Sequence, residues 1–205
     1  MKEITIVGIS GSPRKRGNTH ILVSGILDGA EKEGAMTETI FLNDLNVREC
    51  DGCHACWKGR QCSKKDDMNK LYTKITDSDI IVFGTPVYWY GPTALMKCFI
   101  DRFVYFNCPE NRAKIRGKAA LIAVPFEEED PKTARLLVKF FEKSLQYLRM
   151  KLIGKILVPG VGGRGDILKK ADRLEEGYEL GRRAAKYKRN IQMDFASSKK
   201  ASKKT

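Results

Sequence analysis

Four of the six cysteines lie within thirteen residues and form the pattern C-x2-C-x2-C-x5-C. The run consists of Cys50, Cys53, Cys56 and Cys62. Two-residue spacings let three thiolates converge on one face of an iron–sulfur cubane, and a short return loop supplies the fourth ligand. Zinc ribbons pair two well-separated C-x2-C knuckles, so zinc fits this run less well. The pattern therefore favours a metal cluster over unmetallated thiols, and both over zinc or a dithiol relay.

A polar loop at residues 10–19, SGSPRKRGNT, joins an apolar run to a predicted helix. Its hydroxyls, its backbone N–H groups and the helix dipole are typical of a phosphate-binding cradle. It lacks the Gly-Lys-Ser/Thr of a Walker A loop, which argues against Mg-nucleotide chemistry. An ordinary capped turn with Thr19 near the N-cap would explain only the end of the loop. The G-x-G-x-x-G match at residues 160–165 precedes no further strand, so we expect its glycines to let the loop bend beside the bound ligand or a subunit contact.

Three consecutive aromatic residues, Tyr88, Trp89 and Tyr90, lie between Pro86 and Pro92 after another apolar run. Flat side chains at a strand end can line a slot for a planar ring, or they can simply plug the end of the core. Combined with a phosphate cradle on a neighbouring strand, the slot indicates a planar, monophosphorylated cofactor.

Strand and helix patterns alternate along the chain. Strands are predicted at residues 4–9, 37–42, 80–84, 119–124 and 153–158. Helices are predicted at residues 19–33, 66–76, 93–106 and 133–150, and from about residue 166 onward. Strands that alternate with helices predict a parallel sheet with helices on both faces. Ligands bind such sheets beyond the carboxyl ends of the strands, so we expect function in the loops after the first, third, fourth and fifth strands.

Composition and charge indicate one globular domain. The chain has 205 residues, 42% of them hydrophobic, and a formal net charge of +13. Residues 182–205 contribute +8 of that charge, so we predict a domain at 1–190 and a basic, disordered tail at 191–205. No apolar stretch is long enough for a membrane span, and we expect a cytoplasmic protein without a membrane partner.

The segments SGSPRKRGNT, DDM, FGTPVYWYG and FIDRF together resemble the flavodoxin-like NAD(P)H-dependent FMN reductase family over most of residues 1–181. The resemblance implies a three-layer α/β sandwich with strand order 2-1-3-4-5. It implies an FMN phosphate held by Ser10, Ser12, Arg14, Asn18 and Thr19. It also implies an isoalloxazine ring lying along Pro86, Val87, Tyr88, Trp89, Tyr90 and Gly91. The loop at residues 125–130, PFEEED, departs from the Gly-rich loop of the family.

The cysteine run, in the loop at residues 43–65, is similar in spacing and place to that of the iron–sulfur flavoproteins. The resemblance implies that its four cysteines ligate one [4Fe–4S] cluster, which exchanges electrons with FMN. It implies a ferredoxin-like donor and a small-molecule acceptor such as a quinone, dioxygen or peroxide, with the flavin rather than a side chain as the reactive group. Without the cluster, NAD(P)H becomes the expected reductant of an FMN or quinone reductase.

Two expectations concern partners. We expect a homodimer or homotetramer, because flavoproteins of this type complete each site across a subunit interface and the exposed aromatic residues suit that role. A nucleic-acid-binding module on the same scaffold rests only on the basic C-terminal end, without an aromatic-rich basic groove. Nucleic acid is therefore not an expected partner.

Overall fold

The computed structural model describes residues 3–201, with side chains described as far as residue 191. Its β-strands are β1 (Thr5–Ser10), β2 (Met36–Phe41), β3 (Ile80–Gly84), β4 (Ala119–Pro125) and β5 (Lys151–Val158). Its α-helices are α1 (Asn18–Lys32), α2 (Met68–Asp77), α3 (Ala94–Asp101), α4 (Pro109–Ile115), α5 (Arg135–Tyr147) and α6 (Ala171–Ala201). Short 3₁₀ turns occupy Leu42–Asp44, Ala55–Lys58, Arg102–Asn107, Pro131–Ala134 and Asp166–Lys169.

The five strands form one parallel sheet in the order β2-β1-β3-β4-β5. Strands β3 and β4 are buried along their whole length, because helices cover both faces of the sheet. The predicted fold class, a flavodoxin-like three-layer sandwich with this strand order, is confirmed. All carboxyl ends of the strands therefore lie at one edge of the sheet.

Two hydrophobic cores separate the sheet from its helix layers. On one face, α1 and α6 pack through side chains such as Leu22, Ile26 and Leu180. On the other face, α2, α3 and α5 pack through side chains such as Leu71 and Phe99. The side chains of alternate residues in each central strand point into one core and then the other, as the two-residue period of a strand requires.

Helices α1 and α6 approach each other unusually closely, and two glycines permit it. A Cβ atom built on Gly181 would lie 1.8 Å from the carbonyl oxygen of Ile26, and one on Gly29 would lie 2.0 Å from that of Tyr178. Any side chain at either position would overlap the backbone of the facing helix. This contact joins the second half of α1 to α6.

The predicted helix at 93–106 is wrong in its second half, which is a 3₁₀ turn at Arg102–Asn107. Phe103 and Phe106 are both buried, with ring centroids 5.3 Å apart. Side chains three residues apart eclipse in a 3₁₀ turn, so this geometry directs both rings into the same core. The sequence prediction also missed α4, a short helix that begins at Pro109.

The C-terminal helix α6 extends to Ala201. The basic tail was predicted to be disordered at 191–205, and this stays a prediction. Residues 202–205 of the tail lie outside the described part of the chain. Among residues 3–201, no helix combines the length and the apolar character that crossing a bilayer requires.

Candidate functional site

An open pocket lies at the carboxyl ends of the strands, where the loops after β1, β3, β4 and β5 meet. We name it the strand-end pocket. It is lined by Ser12, Arg14, Asn18, Thr19, Pro86, Val87, Tyr88, Pro125, Phe126, Glu127, Val161 and Gly162. Its space, including the open mouth, measures about 490 Å³, within the range of small-molecule sites. Seven of the eleven residues predicted from the sequence to bind a cofactor line this pocket.

The first wall of the strand-end pocket is the start of α1. Gly17 is the N-cap residue, and no side chain caps the first turn. The N–H groups of this turn have no intrahelical partner, and the helix dipole adds partial positive charge to them. Ser12 accepts a hydrogen bond from the N–H of Arg14 (3.1 Å), which folds the loop back over the helix end. The loop therefore offers an anion its N–H groups and an exposed guanidinium.

Asn18 fastens the loop after β5 to this wall. Its amide nitrogen donates to the carbonyls of Val161 (2.9 Å) and Gly163 (2.8 Å), and its oxygen accepts from the N–H of Ile167 (3.2 Å). Arg14 donates a further hydrogen bond to the carbonyl of Gly162 (2.7 Å). Both amide hydrogens of Asn18 are thus bonded to the protein, so its backbone N–H is what it can offer to an anion.

The second wall is the aromatic loop after β3. Tyr88 and Gly91 pair as a two-residue hairpin, with reciprocal backbone hydrogen bonds of 2.9 and 3.0 Å. The two turn residues, Trp89 and Tyr90, have positive φ angles of 50° and 64°. Residues other than glycine rarely adopt positive φ angles, and backbone strain of this kind is concentrated at functional sites. The turn directs Trp89 into solvent at 96% exposure, while Tyr88 faces the pocket.

The remaining walls come from the loops after β4 and β5, which were expected at the site although none of their residues was assigned to it. The loop after β4 contributes Phe126, whose N–H bonds the carbonyl of Val158 (3.0 Å) and whose carbonyl accepts from Val161 (2.9 Å). Glu127 and Gly162 complete this side. The signal that could have identified these residues is their position directly after β4 and β5, at the ligand-binding edge of a parallel sheet.

Four residues of the predicted cofactor set do not line the pocket. Ser10 is buried at the end of β1, where it pairs with Phe41 and Gly84 of the flanking strands. Gly91 closes the hairpin, and the side chains of Trp89 and Tyr90 are exposed. These four residues belong to the elements that carry the lining residues, but they do not line the pocket themselves.

The cysteine run forms an irregular loop directly after β2, the edge strand beside β1. All four cysteines are free: Cys56 is buried, Cys53 is exposed, and Cys50 and Cys62 are half-buried. Burial, followed by the charges that the other three cysteines carry when they are ionised, raises the pKa of Cys56. Trp57 donates a hydrogen bond from Nε1 to the carbonyl of Val104 (3.2 Å) and so ties the loop to the 3₁₀ turn after α3.

The predicted metal centre is not assembled in this structure. Within residues 3–201, no three His, Cys, Asp or Glu side chains are arranged to hold a metal ion. The donor chemistry nevertheless suits an iron–sulfur cluster, because four free thiols share one short loop. The cysteines outside the run, Cys98 and Cys108, are half-buried and buried.

Curated relatives match this chain over different fractions of its length. An iron–sulfur flavoprotein of Archaeoglobus fulgidus is 44% identical over 97 residues, which cover 47% of each chain. The putative NAD(P)H-dependent FMN-containing oxidoreductase YwqN of Bacillus subtilis is 27% identical over 185 residues, covering 87% of this chain and 97% of that protein. The chain spans about half the length of the curated iron–sulfur flavoproteins it matches.

Structural comparison supports the fold, and a family model covers most of the chain. A flavodoxin from the domain Archaea superposes with a TM-score of 0.56 at 14% identity, covering 90% of this chain and 98% of that one. The family model described as NADPH-dependent FMN reductase matches residues 4–154, which include β1 to β4 and the cysteine loop. The chain therefore belongs to the NADPH-dependent FMN reductase family.

Proposed function

We propose that the protein is an FMN-dependent oxidoreductase that binds FMN in the strand-end pocket and a [4Fe–4S] cluster at the cysteine run. The observation that carries the proposal is the meeting of an uncapped helix N-terminus and an aromatic loop in one pocket. When bound, FMN supplies two-electron and one-electron redox chemistry, while the protein binds and orients it.

The residues of the first wall suit the phosphate of FMN. The N–H groups of the first turn of α1 and the guanidinium of Arg14 are donors and carry positive charge, so they favour a dianion. The hydroxyls of Ser12 and Thr19 line the same end of the pocket. Because the hydrogen bonds of Asn18 hold the opposite loop in place, the width of this end is set before a ligand arrives.

The residues of the second wall suit a planar ring. Pro86, Val87 and Tyr88 present a continuous, largely apolar edge to the pocket. Phe126 is only 2% exposed and supports the floor from the loop after β4. This wall would hold a planar ring and shield one side of it from water.

The cysteine run supports a second redox centre. Its four thiols are free, they lie on the loop after β2, and β2 pairs with β1, whose following loop forms the pocket. Relatives that share 35–44% identity with part of this chain carry the name iron–sulfur flavoprotein. When bound, the cluster would supply single electrons, so we propose a ferredoxin-like donor and a small-molecule acceptor for the FMN.

A cluster-free NAD(P)H-dependent FMN or quinone reductase is the second candidate. The match to the putative NAD(P)H-dependent oxidoreductase of Bacillus subtilis favours it, because that match extends over 87% of this chain. Anaerobic mixing of the FMN-loaded protein with NADH or NADPH distinguishes the candidates. Rapid bleaching of the flavin band by either nucleotide supports the second, and bleaching by a reduced ferredoxin alone supports the first.

We also propose that the protein forms a homodimer or homotetramer in which the exposed Trp89 lies at a subunit contact. An indole that is 96% exposed on a strained turn is an unfavourable surface feature for an isolated chain. Sedimentation velocity of the native protein and of the Trp89→Ala variant measures this. A monomer that binds one FMN per chain would contradict the proposal.

The phosphate site is tested with two arginine variants and two flavins. Arg14→Gln should weaken FMN binding about tenfold, because charge-assisted hydrogen bonds contribute about 1.5–3 kcal/mol and exposure reduces this to its lower end. Riboflavin, which lacks the phosphate, should bind both proteins equally. Arg16→Gln is the matched control, since Arg16 is exposed on the same loop and does not line the pocket. Fluorescence quenching measures the six affinities of the native protein and the two variants for both flavins, and equal losses of FMN and riboflavin binding in Arg14→Gln would contradict the assignment.

The cluster is tested by anaerobic reconstitution followed by iron and sulfide analysis. The native protein should hold roughly four irons and four sulfides per chain. Cys62→Ser should lose most of them, whereas Cys98→Ser, which changes a cysteine outside the run, should retain them. A native protein that stays free of iron while binding FMN would reject the cluster and keep the flavin.

A further inference from the structure

Arg102 is buried at the end of α3, and its side chain faces the cysteine loop. Its side chain is 1% exposed, and that of its partner Asp66 is fully buried. The guanidinium donates to both carboxylate oxygens of Asp66, at 2.6 and 3.1 Å. It also donates to the carbonyl of Arg48 (2.9 Å) and to Sγ of Cys62 (3.2 Å). One buried cation thus bonds the loop before the run, the loop after it and a cysteine of the run.

Asp66 determines where this guanidinium points. Its oxygens also accept from the backbone N–H groups of Arg48 (3.1 Å) and Met68 (3.2 Å), so the carboxylate is held by the main chain on both sides. A two-pronged Arg–carboxylate pair fixes the plane of the guanidinium. The N–H group that remains on Nη2 is therefore aimed at the sulfur of Cys62.

The buried Arg102–Asp66 ion pair is not needed merely to hold the cysteine loop in place. Removing two charges from water costs several kcal/mol, and apolar residues of similar volume often stabilise a fold equally well. A buried cation beside a candidate metal ligand has a second physical effect, because hydrogen bonds to cluster sulfurs and nearby charge set the reduction potential.

We propose that Arg102 is a positioning residue of the cysteine centre, which holds Cys62 as a ligand and raises the reduction potential of the cluster. The proposal rests on the proposed function, because it requires the cluster. Reduction adds one electron to the cluster and makes it more negative. A cation that donates a hydrogen bond to a ligand sulfur stabilises this reduced form more than the oxidised form.

Helix α3, which ends at Asp101 directly before Arg102, also contacts the loop of the strand-end pocket. Thr93 caps α3 by accepting from the N–H of Met96 (3.2 Å), and its hydroxyl donates to the carbonyl of Gly11 (2.5 Å). Gly11 lies in the loop that forms the first wall. Helix α3 is therefore a rigid connection from that loop to the cysteine run.

The test compares the Asp66→Asn/Arg102→Gln double variant, which removes both buried charges, with the native protein. The matched control is Lys97→Gln/Asp101→Asn, which removes an exposed ion pair (2.6 Å) from the same helix. In the iron-loaded protein, the reduction potential of the cluster should be at least about 59 mV lower in the double variant than in the native protein. For one electron this shifts the equilibrium tenfold towards the oxidised cluster. Arg102→Lys, which keeps the charge, should recover part of this shift, and the control should change less than twofold.

A second measurement does not need the cluster. In the metal-free protein, amide hydrogen exchange at residues 46–66 should be at least tenfold faster in the double variant, with β3 and β4 unchanged. A double variant that folds and binds FMN but takes up no iron, while Arg102→Lys takes it up, also supports positioning. An unchanged potential in an iron-loaded double variant would overturn the proposal. If the native protein takes up no iron, the cluster function fails, and unchanged exchange at residues 46–66 would then overturn the positioning of the loop as well.

Discussion

Replacing Asn18 with alanine distinguishes a structural role of this side chain from direct phosphate binding. The side chain makes three hydrogen bonds to the loop after β5, at 2.9, 2.8 and 3.2 Å. Two of these bonds are buried. Alanine would leave two carbonyls and one N–H group without these partners in a region from which water is largely excluded.

The expected loss follows from the number of bonds. A typical intramolecular hydrogen bond contributes about 1 kcal/mol net, so three bonds correspond to about 3 kcal/mol. For a chain of this size, 1 kcal/mol shifts the melting temperature by about 2–4 °C. Asn18→Ala should therefore lower the melting temperature of the FMN-free protein by about 6–12 °C. Asn18→Asp should be at least as unfavourable, because a carboxylate cannot donate to the two carbonyls.

Thermal unfolding of the flavin-free protein, followed by far-ultraviolet circular dichroism, measures this loss. Asn43→Ala is the control, since Asn43 is an exposed asparagine in the 3₁₀ turn after β2. If Asn18 instead acts chiefly on the phosphate, the flavin-free variant would melt within about 2 °C of the native protein, inside the noise of a neutral surface change. It would then lose its preference for FMN over riboflavin, and the structural reasoning would be refuted.

Three further predictions concern the pocket wall, the helix contact and the buried carboxylate. Tyr88→Ala should weaken FMN binding about tenfold, as lost aromatic packing predicts, while Tyr147→Ala, which removes an exposed tyrosine outside the pocket, changes it less than twofold; fluorescence titration that ranks them in reverse order would contradict the geometry. Gly181→Ala should cost at least about 1–3 kcal/mol of stability in urea unfolding, because its Cβ would overlap a carbonyl of α1. Gly25→Ala, with nothing within 4 Å of the new atom, should gain about 0.5–1 kcal/mol instead, and equal effects would disprove the close contact. Burial opposes ionisation of Asp66, but the hydrogen bonds from its arginine partner and the backbone outweigh burial and lower its pKa. Its ionised form therefore stabilises the fold above its ordinary pKa, and this stability is lost as the pH falls through the lower native value. The urea midpoint should fall more steeply below pH of about 4 in the native protein than in the variant that neutralises both partners of the pair.

Much of the fold could be predicted from the sequence, because apolar patterns mark the strands and helices and their order along the chain limits how they can be connected. The apolar run at residues 80–84 is short and β-branched, and it is a strand with those bounds. Strands that alternate with helices leave few arrangements, so the parallel sheet followed from right-handed connections. The bend at Arg102 could not be predicted in this way, because the two rings that select a 3₁₀ turn there do so only when the core is formed.

The position of the candidate site was also predictable, whereas its lining was only partly so. Parallel strands end at one edge of a sheet, so the loops at residues 10–19 and 86–91 had to come together there. Glu127 and Gly162 were not assigned to the site, because the end of a strand brings its loop to this edge but does not determine which residues of the loop face the pocket. That depends on how the loops after β4 and β5 pack against each other.

The sequence alone determined which chemical groups are available: four closely spaced thiols, a polar loop before a helix and three adjacent aromatic rings. Only the tertiary structure decided how they are used. Asn18 is bonded to residues more than 140 positions away, a left-handed turn directs Trp89 outward, and Arg102 reaches a sulfur 40 positions earlier. The physical reason is that hydrogen-bond partners and side-chain directions depend on which distant segments the packed sheet and helices bring within about 3 Å.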